Sequence, residues 1–366
     1  MKITGAESFV LETPVGGAIA DSMQSVEKLE FVGLRIETDH DITGCGYTVT
    51  VGAGGKTLQT VLDTLFIQDL LGEDPRNVRQ IWNKLYYGKA HWIGRAGAAT
   101  MAQAAVDIAL WDILAKSAGE PLWRYLGGAR ADPIAIYNTH AGWLNYSEDQ
   151  LRREAAKLVG EGYKTLKMKV GLDDLRDDVR RVAAVRSEIG DAIDLMVDAN
   201  QKWDSRRACE AARRLAEFDV KWIEEPLHPD DVEGHVKLRQ SSPAPIALGE
   251  HVYSTHMFRD FIQRGGVDVV QVDVCRVGGV TPWLQVASLA DSFGLPVCPH
   301  AGDLMQVHQH LVKAIPNNWL LEVIPLWEKG PFEHQVVLEN GYCMSPEMPG
   351  ASTDFSEEAF SRYRVS

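Results

Sequence analysis

The chain has 366 residues, 45% of them hydrophobic, which is enough for one large domain and a smaller one. Its formal net charge of −14 disfavours nucleic acids and anionic membranes as partners, because both repel an acidic surface. There is no run of about 18 apolar residues, which a membrane span needs, and the first residues lack the basic start and apolar core of a signal peptide. We therefore expect a cytoplasmic protein that binds neither nucleic acid nor membrane.

The cysteines are odd in number, widely spaced and free of any CxxC motif. This pattern disfavours a disulfide framework and a thiolate zinc site, and it fits a reducing compartment. We interpret all five as small buried structural residues. They are Cys45, Cys209, Cys275, Cys298 and Cys343.

The sequence pattern of the N-terminal third predicts strands followed by helices. The segments FVLETP and LEFVGLRIET have the apolar pattern of strands, and Gly-rich turns follow them. The later segments VRQIWNKLYY and AGAATMAQAAVDIALWDILAKSAG have apolar residues at helical spacing. Residues 1–125 are therefore predicted to form an α+β domain.

From about residue 133, short apolar strands alternate with charged amphipathic helices. Eight strand candidates at even spacing predict a (β/α) barrel over residues 126–339. The alternative is a doubly wound open sheet, which is less favoured because no GxGxxG loop follows the first strand. Residues 340–366 are expected to return to the N-terminal domain. The strand candidates are IAIYNTH, KTLKMKV, DLMVDAN, VKWIEEP, PIALGE, VDVVQVDV, LPVCPH and WLLEVI.

Polar side chains end nearly every barrel strand from the second onward. Asp198, Glu224 and Glu250 follow one another at intervals of 26 residues, about one strand–helix unit. Because the carboxyl ends of barrel strands converge on one mouth, we expect these carboxylates to meet there. They would repel one another without a cation between them, and all-oxygen ligation favours one Mg²⁺ per subunit, or Mn²⁺, over zinc. The alternative is that each acid pairs with a lysine or caps a helix.

Lys167 and Lys169 alternate along the second barrel strand, so both side chains should point into the barrel. Buried like charges lower each other's pKa, and a lysine so placed can act as a base near neutral pH. The alternative, salt bridges to the carboxylates, suits Lys167 better than Lys169.

Asp273 and His300 end the sixth and seventh strands. A carboxylate that orients a histidine raises its basicity, so this pair predicts a proton-transfer group. The alternative is a hydrogen-bonded packing histidine. The remaining histidines near strand ends lack such a partner in the pattern, and we interpret them as structural or as neighbours of the site. They are His251, His308 and His310.

The ordered motifs KMKVG, MVDANQKWD, WIEEP, ALGE, QVDVCRVGGVT and CPHAG resemble the enolase superfamily, and within it the mandelate racemase subgroup. The resemblance covers almost the whole chain. It implies a (β/α)7β TIM-like barrel with an N-terminal α+β capping domain. It also implies abstraction of the proton next to a carboxylate, with Mg²⁺ stabilising an enediolate.

The resemblance also implies roles for individual residues. Lys169 would be the base on one face of the substrate, and Lys167 would assist it at the substrate carboxylate. His300, paired with Asp273, would act from the opposite face. Glu322, at the end of the eighth strand, would donate a hydrogen bond to the developing enediolate.

Substrate selection is expected from the capping loops and the polar end of the first strand. In the family, N-terminal loops close over the barrel. Here they correspond to residues 15–25 and the Gly-rich segment GYTVTVGAGGK, whose composition suits a mobile lid. The predicted substrate contacts are Asn200, Tyr47, Thr48, Lys56 and His140.

Two opposed acid–base groups allow three reactions on a small-molecule carboxylate. We favour dehydration of an aldonate or aldarate to a 2-keto-3-deoxy acid, because the stretch from LAEFDVKWIEEP to VCPHAG resembles the L-fuconate and talarate/galactarate dehydratases of the subgroup. The alternatives are a racemase or epimerase of a 2-hydroxy acid, and a cycloisomerase opening an anhydro-sugar acid or a sugar lactone. A remote alternative is an inactive binding subunit. We also expect a homo-oligomer.

Overall fold

Strands occur in two sheets. The computed structural model describes residues 1–129, 132–302, 304 and 306–365. Within these residues, one sheet is a four-stranded antiparallel layer and the other is rolled into a barrel. The strands are β1 (Ile3–Ala20), β2 (Ser25–Thr38), β3 (Thr43–Val51), β4 (Ile134–Gly142), β5 (Thr165–Lys169), β6 (Asp194–Asp198), β7 (Val220–Glu224), β8 (Ile246–Leu248), β9 (Val269–Val270), β10 (Leu321–Val323), β11 (Leu338–Glu339), β12 (Tyr342–Cys343) and β13 (Arg364–Val365).

Helices follow the antiparallel sheet and then alternate with the barrel strands. Two irregular turns extend them, a π-helical turn at Leu62–Phe66 and a 3₁₀ turn at Ala216–Phe218. The α-helices are α1 (Gly55–Val61), α2 (Ile67–Leu70), α3 (Val78–Tyr87), α4 (Lys89–Ile93), α5 (Ala98–Ala118), α6 (Leu122–Tyr125), α7 (Glu148–Gly160), α8 (Leu175–Ile189), α9 (Ser205–Leu215), α10 (Val232–Ser241), α11 (Thr255–Arg264), α12 (Val274–Val277), α13 (Val280–Ser292), α14 (His308–Ala314) and α15 (Glu357–Tyr363).

The antiparallel sheet, in the order β13-β1-β2-β3, is buried on both faces. Successive side chains of a strand point to opposite faces. On β2, Val32 and Leu34 therefore pack with the helices that follow the sheet. Phe31 points the other way and meets the rings of Phe332 and Phe355 near the C-terminus. The sheet thus joins the N-terminal helices to the rest of the chain.

Helix α5 forms the core of the N-terminal part. By length and composition it could cross a membrane, and among the described residues it is the one helix that could. However, 89% of its most apolar window is buried inside the protein. A helix that is apolar on all sides is typical of a protein interior, so α5 is a core helix.

Gly46 of β3 allows this strand to approach α5 closely. A Cβ atom on Gly46 would lie 1.9 Å from the carbonyl oxygen of Ala105 and 2.6 Å from the backbone nitrogen of Ala109. Because backbone atoms cannot rotate away, we expect Gly46→Ala to lower the free energy of unfolding by about 1–3 kcal/mol, measured by urea unfolding. Gly160→Ala, whose Cβ would meet no atom within 4 Å, should not destabilise the protein. Equal losses in both variants would contradict this packing.

The second sheet closes into a barrel. Strands β4 to β9 pair in sequence as parallel neighbours. β10 pairs with β4, and single bridges from Val297 to Val270 and Asn318 supply the seventh position. Eight parallel positions joined by seven helical connections, one of which contains both α12 and α13, confirm the predicted (β/α)7β barrel, and closure of the ring excludes the doubly wound open sheet. The sixth and seventh strands are shorter than predicted, a two-residue strand and a single bridge.

The C-terminal residues touch both parts of the molecule. β11 and β12 form a hairpin on the barrel, where Cys343 lies opposite Ile134 of β4. Farther on, Phe355 joins the aromatic contacts of the N-terminal sheet, and Val365 of β13 pairs with Val10 of β1. The contact with the N-terminal sheet is thus made by the last residues, whereas the hairpin lies on the barrel. The boundaries 125/126 and 339/340 stay predictions.

Candidate active site

The barrel places the predicted site residues at one level. Lys169 lies opposite Asp198 in the β5–β6 ladder, and Asp198 lies opposite Glu224 in the β6–β7 ladder. Glu250 comes two residues after the end of β8, the next strand around the barrel. Residues that are distant in sequence therefore meet at the carboxyl ends of the strands, as their even spacing predicted.

Asp198, Glu224 and Glu250 form a compact carboxylate cluster. Each offers an oxygen, and these oxygens all lie within 4.8 Å of one another. All three side chains are buried. The backbone N–H of Asn200 donates to Asp198 Oδ1 at 2.9 Å, and the indole of Trp222 donates to Glu224 Oε2 at 3.1 Å. These bonds orient the carboxylates within the barrel mouth.

Negative charge exceeds positive charge around this cluster. Burial and the neighbouring Asp198 raise the pKa of Glu224 well above its usual range. Six carboxylates lie in ion-pair contact with four basic groups, and the buried Arg276 guanidinium adds positive charge near Asp273 and Glu250, which leaves one negative charge uncompensated when all are ionised. A divalent cation that prefers oxygen ligands, such as Mg²⁺, fits this donor set in both charge and chemistry. The acids are Asp198, Glu224, Glu225, Glu250, Asp273 and Glu322, and the basic groups are Lys167, Lys169, His251 and His300.

Lys167 is a buried ion-pair centre. Its Nζ lies 2.5 Å from Glu224 Oε1, 2.6 Å from Glu322 Oε1 and 3.4 Å from Asp198 Oδ2. Burial lowers the pKa of Lys167, but these carboxylates outweigh burial and raise it well above its usual range. Lys167 is therefore held as a cation, as the salt-bridge alternative required.

Lys169 reaches the cluster from the same strand. Its Nζ lies 2.6 Å from Asp198 Oδ2 and 5.5 Å from the centre of the Trp143 ring. Burial and the charge of Lys167 lower the pKa of Lys169, but Asp198 outweighs them and the pKa rises to about 12. The prediction that the lysine pair alone brings this pKa near neutrality is therefore wrong for this arrangement. A cation bound to Asp198 would compete with Lys169 for that carboxylate and so oppose the rise.

His300 approaches the cluster from the seventh strand position. Its Nδ1 lies 2.8 Å from Asp273 Oδ2, and its Nε2 lies 3.4 Å from Glu250 Oε2. Burial lowers the pKa of His300, but Glu250 and Asp273 outweigh it and raise the pKa to about 9. Asp273 is fixed in turn, because its Oδ1 accepts from the N–H of Cys275 at the start of α12. The predicted pair is thus assembled with one imidazole nitrogen directed at the site.

Glu322 closes the ring of acids from the eighth strand. It accepts hydrogen bonds from the Thr139 hydroxyl at 2.6 Å and the Ala301 N–H at 2.7 Å, besides its contact with Lys167. Burial raises the pKa of Glu322, but Lys167 and His300 outweigh it and lower the pKa to about 2. A carboxylate with these donors accepts hydrogen bonds in this arrangement, and the donating role of Glu322 toward an enediolate stays a prediction.

Asp273→Asn should shift the pH dependence of the reaction. The change removes a negative charge that raises the pKa of His300, so this pKa should fall below about 9. If protonated His300 delivers the proton, the fall in kcat on the basic side will move to lower pH. Asparagine also caps helices well, so α12 should persist. The pH profile of kcat tests this, and an unchanged basic limb would contradict proton transfer by His300.

Asn200 and the tip of the β1–β2 hairpin meet beside the cluster. The Asn200 side chain is buried, and its Oδ1 is without a hydrogen-bond partner among the described residues. The Ser22 hydroxyl donates to the backbone oxygen of Ala199 at 2.7 Å, and Leu144 donates to that of Ala20 at 2.8 Å. Residues 15–25, which the sequence predicts to be a mobile lid, therefore belong largely to β1 and β2. The two strands form an arm that lies against the barrel mouth. The predicted substrate contact of Asn200 is compatible with this position.

Tyr47 and Thr48 belong to the interior of the protein. Both are fully buried in β3, which is a regular strand where a loop was predicted. The Tyr47 ring packs on Phe332, and its hydroxyl accepts from the N–H of Val307 at 3.2 Å. Because its polar and apolar atoms are engaged in packing, the structure contradicts the prediction that Tyr47 contacts substrate. Thr48 is equally buried, and its contact with a substrate stays a prediction.

Lys56 and His140 lie outside the carboxylate cluster. Lys56 is exposed on α1 beside Gln59, so its prediction as a substrate contact is not supported by its position. His140 Nδ1 accepts from the indole of Trp143 at 3.0 Å, and burial lowers the pKa of His140 to about 4. The residue lines a cavity of about 330 Å³ beside residues 15–19 of the arm. The contact between His140 and the substrate stays a prediction.

Sequence reasoning missed a polar network behind Glu250. His251 Nδ1 lies 3.2 Å from Glu225 Oε2 and 3.3 Å from Glu250 Oε1. Gln201 joins it through an Nε2 that lies 2.8 Å from both Glu225 Oε2 and His251 Nδ1. The signal available in the sequence was that all three follow metal-ligand strands by one to three positions. The sequence pattern alone predicts only a structural or neighbouring role for His251.

Comparison with known proteins agrees with the fold and the cluster. Residues 6–127 match the N-terminal domain model of mandelate racemase and muconate lactonizing enzyme, and residues 150–359 match the enolase C-terminal domain-like model. The chain belongs to the enolase superfamily, in the group of mandelate racemase and muconate lactonizing enzyme. The predicted family is thus confirmed.

Alignments with individual relatives cover nearly the whole chain. It is 34% identical to 3,6-anhydro-alpha-L-galactonate cycloisomerase from Streptomyces coelicolor, over 96% of each chain. It is 36% identical to L-talarate/galactarate dehydratase from Salmonella typhimurium, over 95% of this chain and 87% of that one. A crystal structure of the Salmonella dehydratase with Mg and L-lyxarohydroxamate superposes with a TM-score of 0.93 at 33% identity, covering 100% of this chain and 93% of that one. The predicted magnesium cofactor agrees with the metal in that relative.

Proposed function

We propose that this protein is a magnesium-dependent lyase that dehydrates an acid sugar to a 2-keto-3-deoxy acid. The observation that carries the proposal is the placement of two acid–base groups around one carboxylate cluster. Lys169 contacts Asp198 at 2.6 Å, and His300 approaches Glu250 at 3.4 Å, from strands on different sides of the barrel. A substrate carboxylate bound at the cluster would therefore have a proton-transfer group available on each side.

The metal would be held by Asp198, Glu224 and Glu250. When bound, it supplies positive charge that stabilises an enediolate more than the starting carboxylate. The cation Lys167 adds fixed positive charge beside the same oxygens, already desolvated and oriented by Glu224 and Glu322.

The side chains account for the proton movements of a dehydration. Lys169 in its neutral form takes the proton from the carbon next to the carboxylate. His300 gives its Nε2 proton to the β-hydroxyl. The bond between the β-carbon and this oxygen breaks, its electron pair stays with the oxygen, and the hydroxyl leaves as water. The resulting enol tautomerises to the 2-keto acid, so the products are one keto acid and one water. Asp273 stabilises the imidazolium before transfer.

A cycloisomerase is the second candidate. The Streptomyces relative at 34% identity carries that activity in its name. The same two groups could remove the proton and protonate the oxygen of a ring ether instead of a hydroxyl. No water would then be released, and the product would be an isomer of the substrate.

The protein should act as a cytoplasmic homo-oligomer without nucleic-acid or membrane partners. The net charge of −14 supports the absence of nucleic-acid and membrane partners, and five cysteines that are all free thiols in the fold support a reducing compartment. Sedimentation velocity of the purified protein tests the oligomeric state.

A panel of aldonic, aldaric and anhydro-aldonic acids tests the reaction. Each acid is incubated with enzyme and Mg²⁺ in D₂O and followed by NMR and by a 2-keto acid assay. Keto acid with release of water supports the dehydratase. Isomerisation of an anhydro acid would favour the cycloisomerase, and exchange of the α-proton alone would favour a racemase. If no acid reacted and none exchanged its α-proton, an inactive binding subunit would be the remaining interpretation.

A further inference from the structure

Glu250 is contacted at both of its carboxylate oxygens by imidazoles. His300 Nε2 lies 3.4 Å from Oε2, and His251 Nδ1 lies 3.3 Å from Oε1. The proposed reaction uses His300 but gives no role to His251. A carboxylate without such partners can rotate about its last side-chain bond, and hydrogen bonds from neighbouring residues are what keep a metal ligand correctly oriented.

His251 is itself fixed by two residues behind the cluster. Its Nδ1 lies 3.2 Å from Glu225 Oε2, and the Gln201 amide lies 2.8 Å from the same carboxylate oxygen and from the imidazole. Gln201 is tied to Glu225 a second time, because its backbone N–H donates to the Glu225 carbonyl at 2.7 Å. Glu225 is only 2% exposed, whereas the His251 side chain is 30% exposed. The imidazole thus forms a link between a rigid buried acid and Glu250.

We propose that His251 is a positioning residue that orients Glu250 toward the metal, with Glu225 holding the imidazole and Gln201 holding Glu225. The inference rests on the proposed metal site but not on the identity of the substrate. Truncation of His251 would release one oxygen of Glu250 and bring two carboxylates together without the group that separates them. Residues that orient metal ligands in this way typically contribute about 10- to 100-fold in metal affinity.

An alternative use of the same residues is a second cation site. Glu225, Glu250 and His251 each offer an atom, and these atoms lie within 4.8 Å of one another. Nδ1 of His251 already contacts both acids and the Gln201 amide, so a cation there would have to replace those contacts. The positioning role needs no such rearrangement, and metal stoichiometry separates the two.

Calorimetric titration with MgCl₂, without substrate, tests the role of His251. His251→Ala should bind Mg²⁺ about 10- to 100-fold more weakly than the natural protein. His251→Asn, whose amide nitrogen can occupy the place of Nδ1, should recover part of the affinity without restoring a charge. His228→Ala is the matched control, because that ring is 67% exposed and has no contact with the cluster among the described residues. It should bind Mg²⁺ normally.

Catalysis gives a second readout. If His251 acts only on Glu250, saturating Mg²⁺ should restore most of kcat in His251→Ala, and the change should fall on the Mg²⁺ concentration required. If that variant does not fold, Gln201→Ala should show a smaller loss of Mg²⁺ affinity in the same direction.

Two results would overturn the inference. One is Mg²⁺ affinity at the natural level in His251→Ala, or in Gln201→Ala if the first variant does not fold. The other is two Mg²⁺ per subunit in the natural protein falling to one in the variant. Absence of Mg²⁺ binding in the natural protein would instead refute the proposed function.

Discussion

Replacing Lys169 by alanine should lower kcat by about 10²- to 10⁴-fold, the range that a positioned acid–base group contributes. No neighbouring amine can substitute, because the Nζ of Lys167 is held by Glu224 and Glu322. Incorporation of deuterium next to the carboxylate should fall in parallel, since both processes need the same proton removed. NMR in D₂O and steady-state kinetics on the substrate found in the acid panel measure the two effects.

Lys164→Ala is the matched control for this change. Lys164 is exposed and immediately precedes β5, at the end of the strand remote from the cluster. Its loss should leave kcat and deuterium exchange at natural levels. If Lys169→Ala turned over as fast as this control, Lys169 would not be the base. If Lys169→Ala kept full exchange but no longer released water, its role would lie in the elimination step instead.

Removing the metal with EDTA should abolish turnover, and added Mg²⁺ should restore it. The cation is expected to stabilise the developing charge by several kcal/mol. Since about 1.4 kcal/mol corresponds to tenfold in rate, the expected loss is at least about 10²-fold. Mn²⁺ should also restore activity, because it accepts the same oxygen ligands.

Thermal unfolding gives an independent measure of the same site. Burial raises the pKa of Glu224, and without a cation the neighbouring carboxylates of Asp198 and Glu250 repel its charge and raise that pKa further. Mg²⁺ at 100 times its dissociation constant should therefore stabilise the fold by about 2.7 kcal/mol and raise Tm. Unchanged activity after chelation, together with an unchanged Tm on adding Mg²⁺, would refute the assignment of these acids as ligands.

The spacing of the acids carried more structural information than any single motif. Asp198 and Glu224 are adjacent in the barrel because each ends a strand of one repeating strand–helix unit. Parallel strands in a barrel all end on the same side, so a regular interval in sequence becomes proximity in space. The pairing of Asp273 with His300 followed from the same rule.

The capping part was less predictable because its strand signal is weak. GYTVTV has a glycine and two threonines that suit a loop as well as a strand, yet Gly46 is required for β3 to pack on α5. Strand alternation then buries Tyr47 among aromatic residues contributed by the C-terminus, which no local pattern could reveal. The same limit applies to His251, whose partners lie on two other strand ends.

By itself, the sequence determined the barrel, the converging acids, the Lys169 and His300 pair and the family, because each depends on periodic spacing or on residue type. Only the tertiary structure decided which side chains share a buried charge network, and therefore how they titrate. Two lysines on one strand lower each other's pKa, but folding surrounds them with carboxylates that reverse the shift. Electrostatic effects depend on distance and burial, which arise when the strands assemble.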